Sequence, residues 1–242
     1  AKGEWSFSIP DAFSRIVLTG TCKNVFDYTA NPLGSNVVTA AWSNGSTALK
    51  GYSVTGITLT APVVLSANYY DDYEFLGKNG IPDDATTGYS EMSGYGKRYS
   101  GGCKGQLTGN WTARLTSQLA GSTYLVMYYD DRYRVIQRKG NNSLNGMEAV
   151  YTSYNFEGSP VKEKRVHSVP GQDIITEVRN YTYDLANRLL QTTYQLNDDA
   201  PVILVDNVYD EIGRLKTEKR TGHSKLRTDY TYNLRSWTKG IN

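Results

Sequence analysis

Cysteine and histidine are scarce in this sequence of 242 residues, which holds two of each. A structural zinc site needs about four Cys or His ligands close together, and Cys22, Cys103, His167 and His223 are widely spaced, so no such site is predicted. A disulfide between the cysteines would close a loop of roughly 80 residues, worth about 4–5 kcal/mol in the chain-entropy model. Two separate buried thiols are the favoured alternative.

The sequence also lacks an excess of either charge and any long apolar run. Its 26 basic residues face 24 acidic ones, so it has no broad basic surface and nucleic acid is not predicted as a partner. No run reaches the roughly 18 apolar residues that indicate a membrane span. The opening AKGEWSFSIP lacks the apolar core of a signal peptide, and the closing SWTKGIN interrupts a strand-like pattern. We therefore expect a fragment of a longer chain.

Helical periodicity and catalytic motifs are missing as well. Glycoside hydrolysis needs two carboxylates facing each other across a cleft, whereas neighbouring residues of a strand point to opposite faces. We therefore expect no catalytic activity and no cofactor, and we expect His167 and His223 to be exposed in loops. The adjacent carboxylates that are therefore not predicted to be catalytic pairs are Asp71 with Asp72, Asp83 with Asp84, Asp130 with Asp131, and Asp198 with Asp199.

Tyrosine and glycine are abundant, with 20 and 23 residues. Runs such as SRIVLTG and STYLVMYY are rich in β-branched and aromatic residues and lie between turn signals such as NPLGS and KGNN, which predicts an all-β fold. Because 16 of the 23 glycines precede residue 127, we divide the chain into a Gly-rich β region over 1–126 and a more charged region over 127–242. Residues 77–110 are predicted to form a long loop.

A tyrosine followed by Asp or Asn recurs through the second region. In the fullest copies, YTYDLANRLL and VYDEIGRLK, two variable residues, a small residue, Arg and Leu follow this pair. The spacing of 25, 29, 26 and 23 residues indicates an internal repeat. Looser copies lie at 11–16 and 70–71. The five pairs are Tyr129 with Asp130, Tyr154 with Asn155, Tyr183 with Asp184, Tyr209 with Asp210, and Tyr232 with Asn233.

Each copy has the composition of a short β-hairpin turn. Such a turn begins with Asp or Asn, whose side chain can bond the backbone N–H groups ahead, and ends with a left-handed residue that is best Gly and next best Asn. Gly158, Asn187 and Gly213 meet this requirement. Ser236 is poorer and Tyr133 is a misfit, so we expect those two turns to differ.

The residues around the turn indicate how hairpins join. Arg188 and Arg214 directly follow their turns and can reach back to the Asp or to a carbonyl of a neighbouring turn. Tyrosines of successive copies are expected to lie over one another. Since a single hairpin is marginally stable, we predict successive antiparallel hairpins of about 25 residues that form a long sheet.

These residues resemble the YD-repeat, or RHS, family, whose hallmark is Tyr-Asp, two variable residues, Gly, Arg and an aliphatic residue. YTYNLRSWTKGIN is similar to a variant from Bacteroidetes-type bacteria, and the stretch from FSIPDAFSRIVL to GKNGIPDD is similar to the region that precedes their repeats. The resemblance implies a long curved sheet that forms part of a YD-repeat shell. It also implies a large secreted or cell-surface bacterial protein, with further YD repeats and a C-terminal domain as partners in the same chain.

The predicted function is that of a structural β-scaffold. A carbohydrate-binding surface is the alternative, because exposed aromatic rings stack on sugars while Asp, Asn and Arg bond their hydroxyls. The candidates for stacking are Trp5, Trp42, Trp111 and Trp237, of which we select Trp111 and Trp237, although each Trp can instead belong to the core.

Two features concern ions and sheet edges. We predict no metal site, with calcium as a minor alternative at KNGIPDDATTG, where Asn79, Asp83 and Asp84 place oxygen ligands close together without the spacing of an EF-hand loop. Open sheet edges are expected either to be capped or to pair with another copy of the chain.

Asn187 gives the first test of the hairpin interpretation, because it stands where the family prefers glycine. Its backbone φ must be positive if the repeat at 184–188 forms the predicted turn. A negative φ would contradict the turn assignment for this repeat.

Overall fold

A computed structural model of the chain describes residues 4–24, 36–45, 47–115, 121–221 and 223–242. These residues form strands and turns, with two short 3₁₀-helices at Thr47–Leu49 and Ser224–Leu226 and no α-helix. The predicted all-β class is therefore confirmed. Within the described ranges, no helix is long and apolar enough to cross a membrane.

The chain divides into two compact units, of which the first contains residues 1–90 and 98–145. Six of its strands form an antiparallel sheet in the order β1-β2-β5-β6-β7-β8, and β3 pairs with β4 as a separate hairpin. The strands are β1 (Trp5–Pro10), β2 (Ile16–Cys22), β3 (Thr39–Trp42), β4 (Tyr52–Thr55), β5 (Val63–Asp71), β6 (Cys103–Ala113), β7 (Ser122–Tyr129) and β8 (Val135–Asn141).

The second unit contains residues 91–97 and 146–242. Its strands form an antiparallel meander in which each strand pairs with the next along the chain. The predicted division after residue 126 falls within β7 and stays a prediction. The strands are β9 (Met147–Tyr154), β10 (Pro160–Ser168), β11 (Ile175–Tyr183), β12 (Leu189–Leu196), β13 (Val202–Tyr209), β14 (Leu215–Arg220), β15 (Arg227–Tyr232) and β16 (Thr238–Ile241).

Stacked aromatic rings form the core of the first unit. Tyr69 stacks on Phe75 with 4.5 Å between ring centroids, and Tyr73 stacks on Tyr128 at 4.7 Å. Gly109 is required beneath this cluster, because a Cβ atom there would collide with the Phe75 ring. Aromatic pairs of this kind stabilise a core by about 0.5–1.5 kcal/mol beyond the area that they bury.

The predicted loop over 77–110 is wrong at its C-terminal end, where β6 begins at Cys103. Glycines at 105 and 109 conceal this strand in the sequence. The connection before it is held to the strands by polar contacts. The buried Lys139 of β8 donates from Nζ to the Gly88 carbonyl at 2.6 Å and to Ser90 Oγ at 2.9 Å, and burial lowers the pKa of Lys139.

Both cysteines are buried free thiols, which confirms the favoured reading. Cys103 donates from Sγ to the carbonyl of Asp71 at 3.2 Å, and burial raises the pKa of the Cys103 thiol. These thiols therefore act as small apolar core residues of the first unit.

The second unit has few buried side chains, and ion pairs cross its strands instead. Arg165 Nε donates to Glu148 at 2.5 Å, and its Nη1 lies 3.3 Å from Glu177. His167 lies in β10, half-buried, with Nδ1 3.1 Å from Glu148, so its predicted place in an exposed loop is wrong. Alternation along a charged strand is hard to recognise, which explains the error. His223 is exposed just before the second 3₁₀-helix, as predicted.

The aromatic core gives a stability prediction. Phe75 is 1% exposed and Phe13 is 77% exposed, and both belong to the first unit. Phe75→Ala should lower the free energy of unfolding by about 3–5 kcal/mol, since it removes a stacked ring and leaves a cavity. The matched change Phe13→Ala should cost about 1 kcal/mol or less, because this ring is exposed and contacts Arg15 near the surface. Urea unfolding followed by circular dichroism measures both, and equal losses would contradict this description of the core.

Candidate functional site

Six turns of the described chain share one hydrogen-bond pattern over five residues. The N–H of the first residue donates to the carbonyl of the fifth at 2.8–3.0 Å, and the N–H of the fourth donates to the carbonyl of the first at 3.0–3.2 Å. Five are the predicted turns, and the sixth is the loose upstream copy. The turns are residues 11–15, 130–134, 155–159, 184–188, 210–214 and 233–237.

The fourth residue of every turn is left-handed. Asn187 has φ 58°, and Gly158 and Gly213 have φ 96° and 88°, so the turn predictions for these three repeats are confirmed. Tyr133 and Ser236 have φ 58° and 62°, so the expectation that their turns differ is wrong. In every turn the side chain of the first residue, Asp or Asn, accepts the N–H of the fifth residue, and this bond holds an unfavourable fourth residue in the left-handed region.

A single carboxylate closes each Asp turn. Asp210 Oδ1 accepts the N–H groups of Ile212 at 3.2 Å and Arg214 at 2.8 Å, while Oδ2 accepts Nε of Arg214 at 2.6 Å. Asp130 and Asp184 make the same set of bonds. Because two oxygens accept three donors, the aspartate shapes the backbone and orients the arginine at once.

The asparagine turns keep part of this arrangement. Asn155 Oδ1 accepts the N–H of Ser159 at 2.8 Å, and Asn233 Oδ1 accepts the N–H of Trp237 at 3.0 Å. Asn155 also donates from Nδ2 to Asn187 Oδ1 at 2.8 Å, which joins two neighbouring turns through their side chains.

The hydrogen bonds of the turn also lower the pKa of its aspartate. Side-chain and then backbone hydrogen bonds from Arg188 hold the pKa of Asp184 below its usual value. Since the folded-state pKa is lowered, this pairing contributes stability above the usual carboxyl pKa and loses it as the pH falls through the folded-state pKa. The Asp184 carboxylate is thus charged and occupied at neutral pH.

Three repeat tyrosines, Tyr183, Tyr209 and Tyr232, bond the preceding hairpin. The hydroxyl of Tyr183 donates to the Pro160 carbonyl at 2.9 Å. Tyr209 donates to the Leu189 carbonyl at 3.0 Å, and Tyr232 donates to Leu215 at 2.7 Å. In all three cases the acceptor is the first residue of the return strand in the hairpin before. Tyr129 makes a similar bond to the Leu107 carbonyl at 2.5 Å.

The arginines of the turns at 184–188 and 210–214 lie over the tyrosine of the next repeat. Arg188 Cζ is 4.6 Å from the ring centroid of Tyr209, and Arg214 Cζ is 4.7 Å from that of Tyr232. Arg214 also donates to the carbonyl of Asn233 at 3.1 Å. The expected stacking of Tyr on Tyr is therefore replaced by Arg on Tyr, which adds a cation–π interaction to the link.

The two loose upstream copies meet in the first unit. Arg15 closes the turn with Asp11 and also makes a bidentate pair with Asp71, at 3.0 Å from Nη1 and 2.8 Å from Nη2. Its guanidinium lies 4.3 Å from the ring centroid of Tyr70. Arg15 and Tyr70 thus repeat the Arg-on-Tyr contact, and the spacing from Asp11 to Arg15 was the sequence signal for it.

The two tryptophan candidates differ in exposure. Trp111 is 8% exposed in β6, with the Lys50 ammonium 3.7 Å from its ring centroid, so its predicted role as an exposed stacking platform is wrong. It faces the core because β6 is a strand rather than part of a loop. Trp237 is 65% exposed and lines an open groove of about 650 Å³ with Arg214 and Tyr232.

The calcium candidates lie in the connection between β5 and β6. Asp84 Oδ1 accepts the N–H and the hydroxyl of Thr86 at 2.8 and 2.5 Å, and these bonds lower the pKa of Asp84. Asn79 is left-handed, with φ 54°. Within the described ranges no three His, Cys, Asp or Glu side chains are grouped to hold a metal. Calcium binding by Asn79, Asp83 and Asp84 stays a prediction.

A cavity of about 260 Å³ in the first unit was missed by the sequence analysis. It lies between the turn at 11–15, the end of β5 and the β3–β4 hairpin. We call it the Trp42 cavity, after the ring in its wall. The loose repeat copies at 11–16 and 70–71 supply part of its lining, but its residues come from four separate segments, so no single motif predicts the cavity. Its polar and aromatic lining includes Asp11, Phe13, Arg15, Trp42, Tyr70, Asp71 and Asp72.

Comparisons with known proteins give little further guidance. No protein-family model and no curated protein matches the sequence. Among solved structures, the chain is similar to a chain in the crystal structure of TcdB2-TccC3-Cdc42, with a TM-score of 0.30 and 9% identity. The similarity covers 96% of this chain and 12% of that chain. At these values it carries no argument about function.

Two neighbouring aspartates test the role of the turn carboxylate. Asp130 is 6% exposed and accepts three hydrogen bonds, whereas Asp131 is exposed. Asp130→Ala should lower the free energy of unfolding by about 2–3 kcal/mol, because three partly buried hydrogen bonds lose their charged acceptor. Asp131→Ala should change it by about 0.5 kcal/mol or less. Urea unfolding of the two variants compares them directly, and a similar loss in both would show that the turn carboxylate has no special role.

Proposed function

We propose that this chain is a structural β-scaffold segment of a YD-repeat protein and has no catalytic activity of its own. The observation that carries the proposal is the recurrence of one set of contacts. At 184–188 and again at 210–214, an aspartate closes the turn, its arginine lies over the next tyrosine, and that tyrosine bonds the previous return strand.

The chemistry of the turn groups supports a structural role. General acid–base catalysis needs a group that can reach a substrate and exchange a proton near neutral pH. The Asp184 carboxylate is paired with Arg188 and its pKa is lowered, and the repeat tyrosine hydroxyls bond backbone carbonyls. The groups that first suggest an active site are thus engaged in holding hairpins together.

The placement in a larger protein is part of the same proposal. The YD-like motifs support further repeats and a C-terminal domain of the parent chain as partners, in a secreted or cell-surface protein of a bacterium, with the sheet as part of a shell. All residues of β16 are exposed, and among the described strands β16 pairs with β15 alone. Its free edge suits a further repeat or a second copy of the chain.

A repeat insertion tests the scaffold proposal. A second copy of residues 189–214, which is one period of the pattern, would be inserted after residue 214. If each hairpin depends on its neighbours alone, the longer chain should fold, keep the β-sheet circular dichroism spectrum and unfold at an equal or higher urea concentration.

The matched control is an insertion of the same length and composition with its sequence shuffled, which should lower the unfolding midpoint. Small-angle scattering should show that the true repeat extends the molecule. Aggregation of both insertions to the same degree would contradict the repeat scaffold.

A carbohydrate-binding surface remains the second proposal, and the exposure of Trp237 supports it. Trp237, Arg214 and Asn233 line the same open groove, which combines an aromatic face with hydrogen-bonding groups. A glycan-array screen should find a saccharide that binds the chain and is lost in Trp237→Ala, with Leu185→Ala, an exposed apolar residue outside the groove, as the control. If no saccharide on the array binds, the carbohydrate-binding proposal is wrong, and the scaffold proposal is the only one of the two that stands.

A further inference from the structure

The Trp42 cavity has an aromatic wall that is held in a fixed orientation. Trp42 Nε1 donates to Glu74 Oε2 at 3.2 Å, and its ring meets Tyr52 and Tyr69 edge-on at 5.7 and 5.6 Å. Gly51 lies so close behind the ring that a Cβ atom there would collide with it. The ring is therefore set before any ligand arrives, which reduces the entropic cost of binding.

The lining of the cavity is negatively charged. Three carboxylates, those of Asp11, Asp71 and Asp72, face one cation, the guanidinium of Arg15. Arg15 is already paired with both Asp11 and Asp71. Asp72 Oδ1 accepts the N–H of Glu74 at 3.0 Å, and no ion pair joins Asp72 to a cation in the described part of the chain.

The carboxylates of the lining repel one another, which raises the electrostatic energy of the folded protein. Partial desolvation, followed by the negative charges of Glu74 and Asp71, raises the pKa of Asp72 above its usual value. Beyond the lining, the charges of Glu74 and Lys78 offset each other, and Lys104 acts on Asp71, so the cavity and its surroundings keep a net negative charge. A cation in the cavity would relieve this repulsion, whereas an anion would increase it.

We propose that the Trp42 cavity binds a small organic cation of the alkylammonium class, with the Trp42 ring against the alkyl groups and Asp72 as the counter-charge. Aromatic rings that face a carboxylate are a general means of binding such ions. The same unit already holds cations on aromatic faces, at 3.7 Å for Lys50 on Trp111 and 4.3 Å for Arg15 on Tyr70. The volume of about 260 Å³ limits the ligand to a small ion.

Lys78 provides an internal check on this proposal. Its ammonium lies 5.7 Å from the ring centroid of Trp42, which is farther than Lys50 lies from Trp111 at 3.7 Å or Arg15 from Tyr70 at 4.3 Å. Lys78 does not line the cavity, so it leaves the site open, but its charge near the ring repels a second cation. Removal of its charge should strengthen binding of an external cation, an effect that a purely apolar pocket would not show.

The experiment uses the full chain and compares choline with its neutral carbon isostere, 3,3-dimethylbutan-1-ol, which has the same shape without the charge. Binding is followed by NMR through the indole N–H signal of Trp42, assigned by its loss in Trp42→Phe. Choline should shift this signal in a saturable manner at millimolar concentrations and leave the signal of the exposed Trp237 in place. The isostere should bind at least about tenfold more weakly.

Three charge variants complete the test. Asp72→Asn keeps an oxygen for the Glu74 N–H, so the fold should persist while choline binds about tenfold more weakly. Asp131→Asn removes the same charge from an exposed site outside the cavity and should leave binding unchanged, and Lys78→Gln should strengthen it. Equal binding of choline and the isostere, no effect of Asp72→Asn, or no saturable shift of the Trp42 signal would each overturn the proposal.

Discussion

In the repeats at 184–188 and 210–214, one carboxylate closes its own turn and, through the arginine that it orients, also determines the contact with the next hairpin. The contacts of Asp210 show this order of events from the turn to the next hairpin. Its oxygens hold the backbone of the turn and Nε of Arg214, and the guanidinium then lies over Tyr232. The tyrosine hydroxyl in turn bonds the Leu215 carbonyl, directly after the turn. The same network of bonds therefore shapes the turn and joins it to the next hairpin, and loss of the carboxylate would disturb both.

The two units differ in how far their stability relies on these turn contacts. In the first unit, stacked rings such as Tyr69 on Phe75 and Tyr73 on Tyr128 bury a core that contributes stability away from the turns. In the second unit, Tyr151 is the only buried hydrophobic residue among those described. Its strands are joined by backbone bonds, cross-strand ion pairs and the Arg-on-Tyr links. A chain of hairpins built in this way has nearest-neighbour energetics, which allows a sheet to lengthen repeat by repeat.

Local residues predicted local structure well, and the errors lie where the contacts are distant. The left-handed Asn187 followed from its place after Asp184, three residues before it. The left-handed conformations of Tyr133 and Ser236 were not predicted from the sequence. The low propensity of Tyr and Ser for this conformation is overcome by the hydrogen bonds that Asp130 and Asn233 accept. For β6, the glycines at 105 and 109 suggested a loop, whereas pairing with β5 and β7 overrides that preference.

The sequence by itself determined where the chain turns, since the Asp or Asn, the left-handed residue and the Arg lie within five residues and act on one another directly. Only the tertiary structure decided which partner each side chain meets outside its own turn. Arg188 lies on Tyr209, Arg15 pairs with Asp71, Trp111 is buried, and Trp42 faces a cavity with a surplus of negative charge. These contacts join residues about 20 or more positions apart, and the register of paired strands, which no short motif specifies, brings them together.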